Sequence, residues 1–164
     1  MIVLLAVACT KAPEGQQSLP PPVASVVDAL SAECAAAGGK ANVRDAARRA
    51  DLNGDGRSDF VVHAGWIPCD DAASVFGDRR KLLTVLIGEK GDGARQAYTS
   101  YVYDAAIEDH GSRPELWLTT SGEGCGHVPA ATFSDEHFCD RQVVWMNMAD
   151  RFELAPLATI RPPK

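Results

Sequence analysis

Helical periodicity occurs once in this chain, over residues 23–37 (VASVVDALSAECAAA), and it ends at two consecutive glycines. Val23, Val26, Val27, Leu30 and Cys34 recur at three- and four-residue spacing and give the segment one apolar face. Gly38 and Gly39 follow where a left-handed C-terminal cap is common. Beyond them the period shortens to extended runs separated by turn residues. The pattern predicts strands at 46–50, 59–64, 81–88, 97–103, 115–120, 142–148 and 152–157, with hairpin turns at 91–93 and 149–150. The expected fold class is therefore α+β: one N-terminal helix, then a mostly antiparallel β-meander.

A length of 164 residues suits one domain with a real core plus a tail, and an apolar fraction of 46% excludes a wholly disordered chain. The formal net charge of −6 argues against a nucleic-acid protein, which carries a basic face. It is compatible with cation binding or with a basic protein partner.

The first eight residues, MIVLLAVA, are apolar and lead into Cys9. Eight residues are too few to span a bilayer, which takes ~20. An apolar run ending in small residues is instead the mark of a secretory signal. The stretch LAVACT resembles the lipobox of bacterial lipoproteins, with Ala6, Val7 and Ala8 before the cysteine. That resemblance implies a lipid on Cys9 and a periplasmic protein anchored to the outer membrane, touching membrane only through the lipid. Residues 10–22, TKAPEGQQSLPPP, have little to bury and read as a tether. The expected division is 1–8 signal peptide, 9–22 lipid site and tether, and 23–164 a single β-rich domain.

Residues 51–60 read DLNGDGRSDF and run straight into the apolar VV. Asp51, Asn53, Asp55 and Asp59 fall at positions 1, 3, 5 and 9 of a loop, with Gly56 at position 6. Calcium takes several oxygen ligands, and glycine permits the sharp turn that aims them inward. Arg57, at position 7, offers its backbone carbonyl. Position 12 is Val62, where a helix–loop–helix calcium site takes a bidentate Glu. The loop therefore resembles the calcium loops in blades of integrin-type (FG-GAP) β-propeller repeats. The resemblance implies propeller-blade-like hairpins and Ca2+ held by Asp51, Asn53, Asp55, Arg57 and Asp59. A metal-free polar turn is the alternative. Against it stands the repulsion among three close aspartates.

Four cysteines remain after Cys9: Cys34, Cys69, Cys125 and Cys139. In an exported chain an even count points to two disulfides, and three pairings are possible. The favoured one is Cys34–Cys69, pinning the helix to the loop after FVVHA, with Cys125–Cys139, closing a loop between two late strands. Cys125, His127, His137 and Cys139 also suit a tetrahedral zinc site in ligand type.

No G-x-S-x-G elbow or phosphate-binding loop is present in the sequence. Asp104, Glu108, Asp109 and His110 are the one cluster suited to acid–base work. Tyr98, Tyr101 and Tyr103 suit a β-sheet core or an interaction surface. The leading expectation is a non-enzymatic envelope lipoprotein, stabilised by calcium, that binds another protein. It is similar in kind to inhibitors or immunity proteins of cell-wall hydrolases. A cell-wall hydrolase or accessory enzyme, and a calcium-dependent adhesive module, are the alternatives.

Overall fold

The computed structural model describes residues 18–77, 79–111 and 113–164. The signal-like segment, Cys9 and most of the tether lie outside the described residues. Helix α1 spans Pro21–Ala36, so the last two prolines of the tether open the helix. Proline suits that position because the first helical N–H groups have no partner to lose. Val23, Val27, Leu30 and Cys34 are its buried face. Gly38 (φ 84°) ends it, with Gly38 N–H donating to the Ala35 carbonyl and Gly39 N–H to the Cys34 carbonyl. This paired geometry is a Schellman cap. No helix among the described residues is long and apolar enough to cross a membrane.

Among the described residues ten strands follow: β1 (Lys40–Ala41), β2 (Ala47–Ala50), β3 (Asp59–His63), β4 (Cys69–Asp70), β5 (Lys81–Gly88), β6 (Ala94–Val102), β7 (Asp104–Asp109), β8 (Pro114–Ser121), β9 (Phe138–Met146) and β10 (Arg151–Leu154). They form one four-stranded sheet in the order β2-β3-β5-β6, a second in the order β10-β9-β8-β7, and a two-stranded pair β1-β4. Every pairing is antiparallel. The expected α+β class with antiparallel strands is the observed one. Strand β7 differs from expectation, since its acidic residues read as a polar cluster. Its inward positions, Ala105 and Ile107, pack on the core while Asp104 and Asp109 face solvent.

The molecule has three layers. Val61, Leu83, Val85 and Ile87 of the first sheet pack against Leu116, Leu118, Val143 and Phe152 of the second. On the opposite face, Phe60, Val62 and Leu86 pack against Val23, Val27 and Leu30 of α1. The first sheet is thus covered on both sides, which explains why FVV is an unbroken apolar run and LLTVLIG is broken only by the buried Thr84. The second sheet has one covered face, and β8 alternates accordingly, with Leu116 and Leu118 buried and Trp117 and Thr119 half-buried.

Both favoured disulfides are present. Cys34–Cys69 ties α1 to β4, and Cys125–Cys139 closes the loop between β8 and β9. Loop closures of this size each add about 3–4 kcal/mol by constraining the unfolded chain.

His63 ends β3 with only 1% of its surface exposed, and neither ring nitrogen has a hydrogen-bond partner. The Trp66 ring meets it edge-on at 5.4 Å. Burial pulls its pKa from 6.5 down to about 4; the Asp104 charge opposes this, and Lys81 and Arg48 reinforce it. The folded protein therefore holds His63 neutral, whereas the unfolded chain takes up a proton below pH 6.5. Stability from this residue is intact above pH 6.5 and falls as the pH drops toward 4, by roughly 3 kcal/mol across the window. His63→Phe should flatten the pH dependence of urea unfolding between pH 6.5 and 4. Parallel curves for variant and wild type would rule this out.

Candidate functional site

The DLNGDGRS loop joins β2 to β3, whose last pair is Ala50–Asp59. Each carboxylate in it has protein donors. Asp51 accepts the N–H groups of Gly54 (2.8 Å), Asp55 (3.1 Å) and Gly56 (2.9 Å). Asn53 Oδ1 accepts from Asp55 N–H at 3.0 Å. Asp55 accepts the backbone N–H of Arg57 at 2.9 Å and its guanidinium at 2.5 Å, and the Asn53 amide at 3.2 Å. Arg57 Nε donates to the Gly88 carbonyl at 3.2 Å.

Asp59 differs from the others in being fully buried. It accepts from Leu52 N–H (2.9 Å), Asn53 N–H (3.1 Å) and, across the sheet, Gly88 N–H (3.1 Å). Burial pushes its pKa up, while those three N–H groups pull it back. Gly88 is required at that contact, since a Cβ there would lie 2.2 Å from the Ser58 carbonyl oxygen. Leu52, at the top of the loop, is buried in the core between the two sheets. The loop is thus a clasp on the first sheet: it seats Leu52 and fixes the end of β5.

The five residues of the expected calcium set lie in one turn with the oxygen chemistry of a hard-cation site. Their geometry in this structure directs Asp51 and Asp59 at backbone amides and Asp55 at a guanidinium. Among the described residues, no three Asp, Glu, His or Cys side chains form a cluster able to hold a metal.

The acidic cluster of β7 is placed on the outer face of the second sheet. Arg161 forks onto Glu108 at 3.0 and 2.5 Å, and Lys164 reaches the same carboxylate at 2.7 Å. Arg161 also lies over the Trp117 ring at 3.7 Å. These hydrogen bonds, Arg161 first, hold the Glu108 pKa down to about 2. A carboxylate so firmly ionised is a poor proton donor or acceptor near neutrality. His110 is exposed, 3.2 Å from Glu108. At the suggested zinc site, the two sulfurs are bonded to each other and the His127 and His137 rings are stacked 4.7 Å apart.

A concavity lies where the chain crosses from β6 to β7 at Tyr103. It is a cleft of about 840 Å³ lined by Arg79, Arg80, Tyr101, Tyr103 and Phe133. Tyr101 and Phe133 are 62% and 60% exposed, unusual for rings of that size. Tyr103 meets Phe138 edge-on at 4.8 Å, and Phe138 meets Phe133 at 5.6 Å. Phe133 rides on the loop closed by Cys125–Cys139. Glu136 fastens that loop from inside, accepting from Ser121 Oγ at 2.7 Å and Ala130 N–H at 2.8 Å. Its pKa is lowered by the same two bonds.

Two of the three tyrosines noted in the sequence line the cleft; Tyr98 packs against the inter-sheet core instead. Arg79, Arg80 and Phe133 escaped notice because nothing local relates them. The one available signal was the cysteine pair bracketing Phe133. Comparison with family models, curated proteins and solved structures gave no match for this chain.

Asp59→Ala should cost about 3 kcal/mol or more in urea unfolding, because it strands three inward N–H donors. Asp51→Ala, at the half-exposed end of the loop, should cost about 1 kcal/mol, since water can replace its carboxylate there. Equal losses for the two variants would remove the clasp from its place in the fold.

Proposed function

We propose that this chain is a non-enzymatic, exported protein-binding module that engages its partner through the cleft between Arg79 and Phe133. One observation carries the reading: exposed aromatic rings and arginines gather in a single concavity, with Phe133 on a disulfide-closed loop. Tyrosine, other aromatics and arginine dominate the energetics of protein interfaces. Their rigid mounting lowers the entropy lost on binding. The ionised, tail-bound state of Glu108 weighs against the acid–base alternative.

The two disulfides support an oxidising compartment, in keeping with a periplasmic protein held to the outer membrane by a lipid on Cys9. The partner proposed is another periplasmic protein, of the kind met by inhibitors or immunity proteins of cell-wall hydrolases. A net charge of −6 favours encounter with a basic one at long range. Recovery of a stoichiometric partner from periplasmic extract should be lost with Tyr101→Ala/Phe133→Ala while the fold is retained. Undiminished recovery would place the interface elsewhere.

Calcium is proposed for the acidic loop on its donor types: Asp51, Asn53 and Asp55 side chains, the Arg57 carbonyl, and Asp59 in support from behind. A bound ion would compete for Asp55 with the Arg57 guanidinium, which is 47% exposed and also donates to the Gly88 carbonyl. Ca2+ supplies a divalent charge that joins the two arms of the hairpin. In millimolar calcium the melting temperature should rise above its value in chelator, and Asp55→Ala should abolish the increment. Identical melts with and without chelator would refute calcium here.

A further inference from the structure

Several cations of this molecule are answered by a carboxylate close by. Arg57 is paired with Asp55, Arg95 with Glu89 and Asp150, Arg151 with Glu153, and Arg161 with Glu108 and Asp140. Arg79 and Arg80 are exposed and adjacent, and neither forms an ion pair with a described residue. This occurs in a chain with 22 acidic and 16 basic residues, where acidic partners are in excess. Lys81 follows them, its ammonium bonded to the Tyr103 carbonyl at 3.4 Å, and adds a third cation beside the cleft. Among the described residues, no acidic side chain lines the cleft. Glu136 feels the Arg80 charge, but its oxygens are hydrogen-bonded to Ser121 Oγ and Ala130 N–H and it makes no ion pair with Arg80.

From this charge pattern, and resting on the cleft as the binding site, we infer that the occupant is an acidic segment of the partner protein. A carboxylate of that segment lies on the Arg79–Arg80 pair, and a neighbouring apolar or aromatic residue sits among Tyr101, Tyr103 and Phe133. Guanidinium groups present a planar fork that matches a carboxylate with two parallel hydrogen bonds. The aromatic wall gives the apolar neighbour a preformed surface, and apolar shielding strengthens the charged contact beside it. Contact charge and net charge act over different ranges. A basic protein steered by the −6 total still presents an acidic segment at close quarters.

The test is selection of a phage-displayed random-peptide library on the full chain, with binding of the enriched peptides measured by fluorescence polarisation. Enriched peptides should carry Asp or Glu beside an aromatic or aliphatic residue. Their affinity should fall at least tenfold with Arg79→Glu/Arg80→Glu, fall less with Arg79→Gln/Arg80→Gln, and weaken as salt rises. Both arginines are exposed and form no ion pair with a described residue, so thermal melts of these variants should stay close to wild type. Enrichment of basic or neutral peptides, or no enrichment, overturns the inference. Acidic peptides that lose binding with Tyr101→Ala/Phe133→Ala but keep it with the arginine variants leave the cleft as the site and overturn the carboxylate contact. Arginine-dependent binding of a uronic-acid oligosaccharide in place of any peptide overturns the protein nature of the occupant.

Discussion

Burial of the first sheet on both faces is the constraint on which this structure depends. Residues of β3 and β5 alternate between two cores: Val61, Leu83, Val85 and Ile87 face the second sheet, while Phe60, Val62 and Leu86 face α1. A strand so placed has no polar side to give to water, so a register slip by one residue exchanges one set of apolar side chains for the other. Something besides hydrophobicity must then fix the register. The buried Asp59 supplies it, joining Leu52, Asn53 and Gly88 through directional hydrogen bonds that a slipped strand cannot make.

The acidic loop and the cleft stand at different places in that frame and answer to different physics. The loop gathers negative charge and neutralises it with backbone amides and Arg57. The repulsion that argued for a cation is thereby largely met from within the chain. The cleft gathers positive charge and aromatic surface and leaves both open. Exposed rings gathered in one concavity are the kind of apolar surface that a partner covers, and arginines beside them favour an acidic one. On that physical ground the cleft, rather than the loop, is the place to look for recognition.

The second disulfide connects stability to the proposed binding cleft. Cys125–Cys139 does little for the inter-sheet core, since the loop it closes lies outside it. What it holds is the turn bearing Phe133, with Glu136 as an inner fastening. A disulfide placed to hold one exposed ring is more readily understood as a device for binding than as a general staple.

The chain's order of amino acids was enough to indicate the helix and its glycine stop, seven of the strands and the α+β class, and to favour the cysteine pairing that is observed. Each is a local signal: a period of 3.6 or 2, a turn residue, or an even count in an oxidising setting. Strand β7 was hidden because Asp104, Glu108 and Asp109 mask the alternation of Ala105 and Ile107, which only the facing sheet reveals. The loop was legible as a cluster of oxygens, but not the direction in which each oxygen points. That direction is set by amides as distant as Gly88, 29 residues along the chain from Asp59. The cleft was legible in two of its tyrosines alone. Arg79, Arg80, Tyr101, Tyr103 and Phe133 meet only after the chain has crossed from one sheet to the other and a disulfide loop has folded back. Local sequence records periodicity and composition; convergence of distant side chains is a property of packing, and the tertiary structure alone decides it.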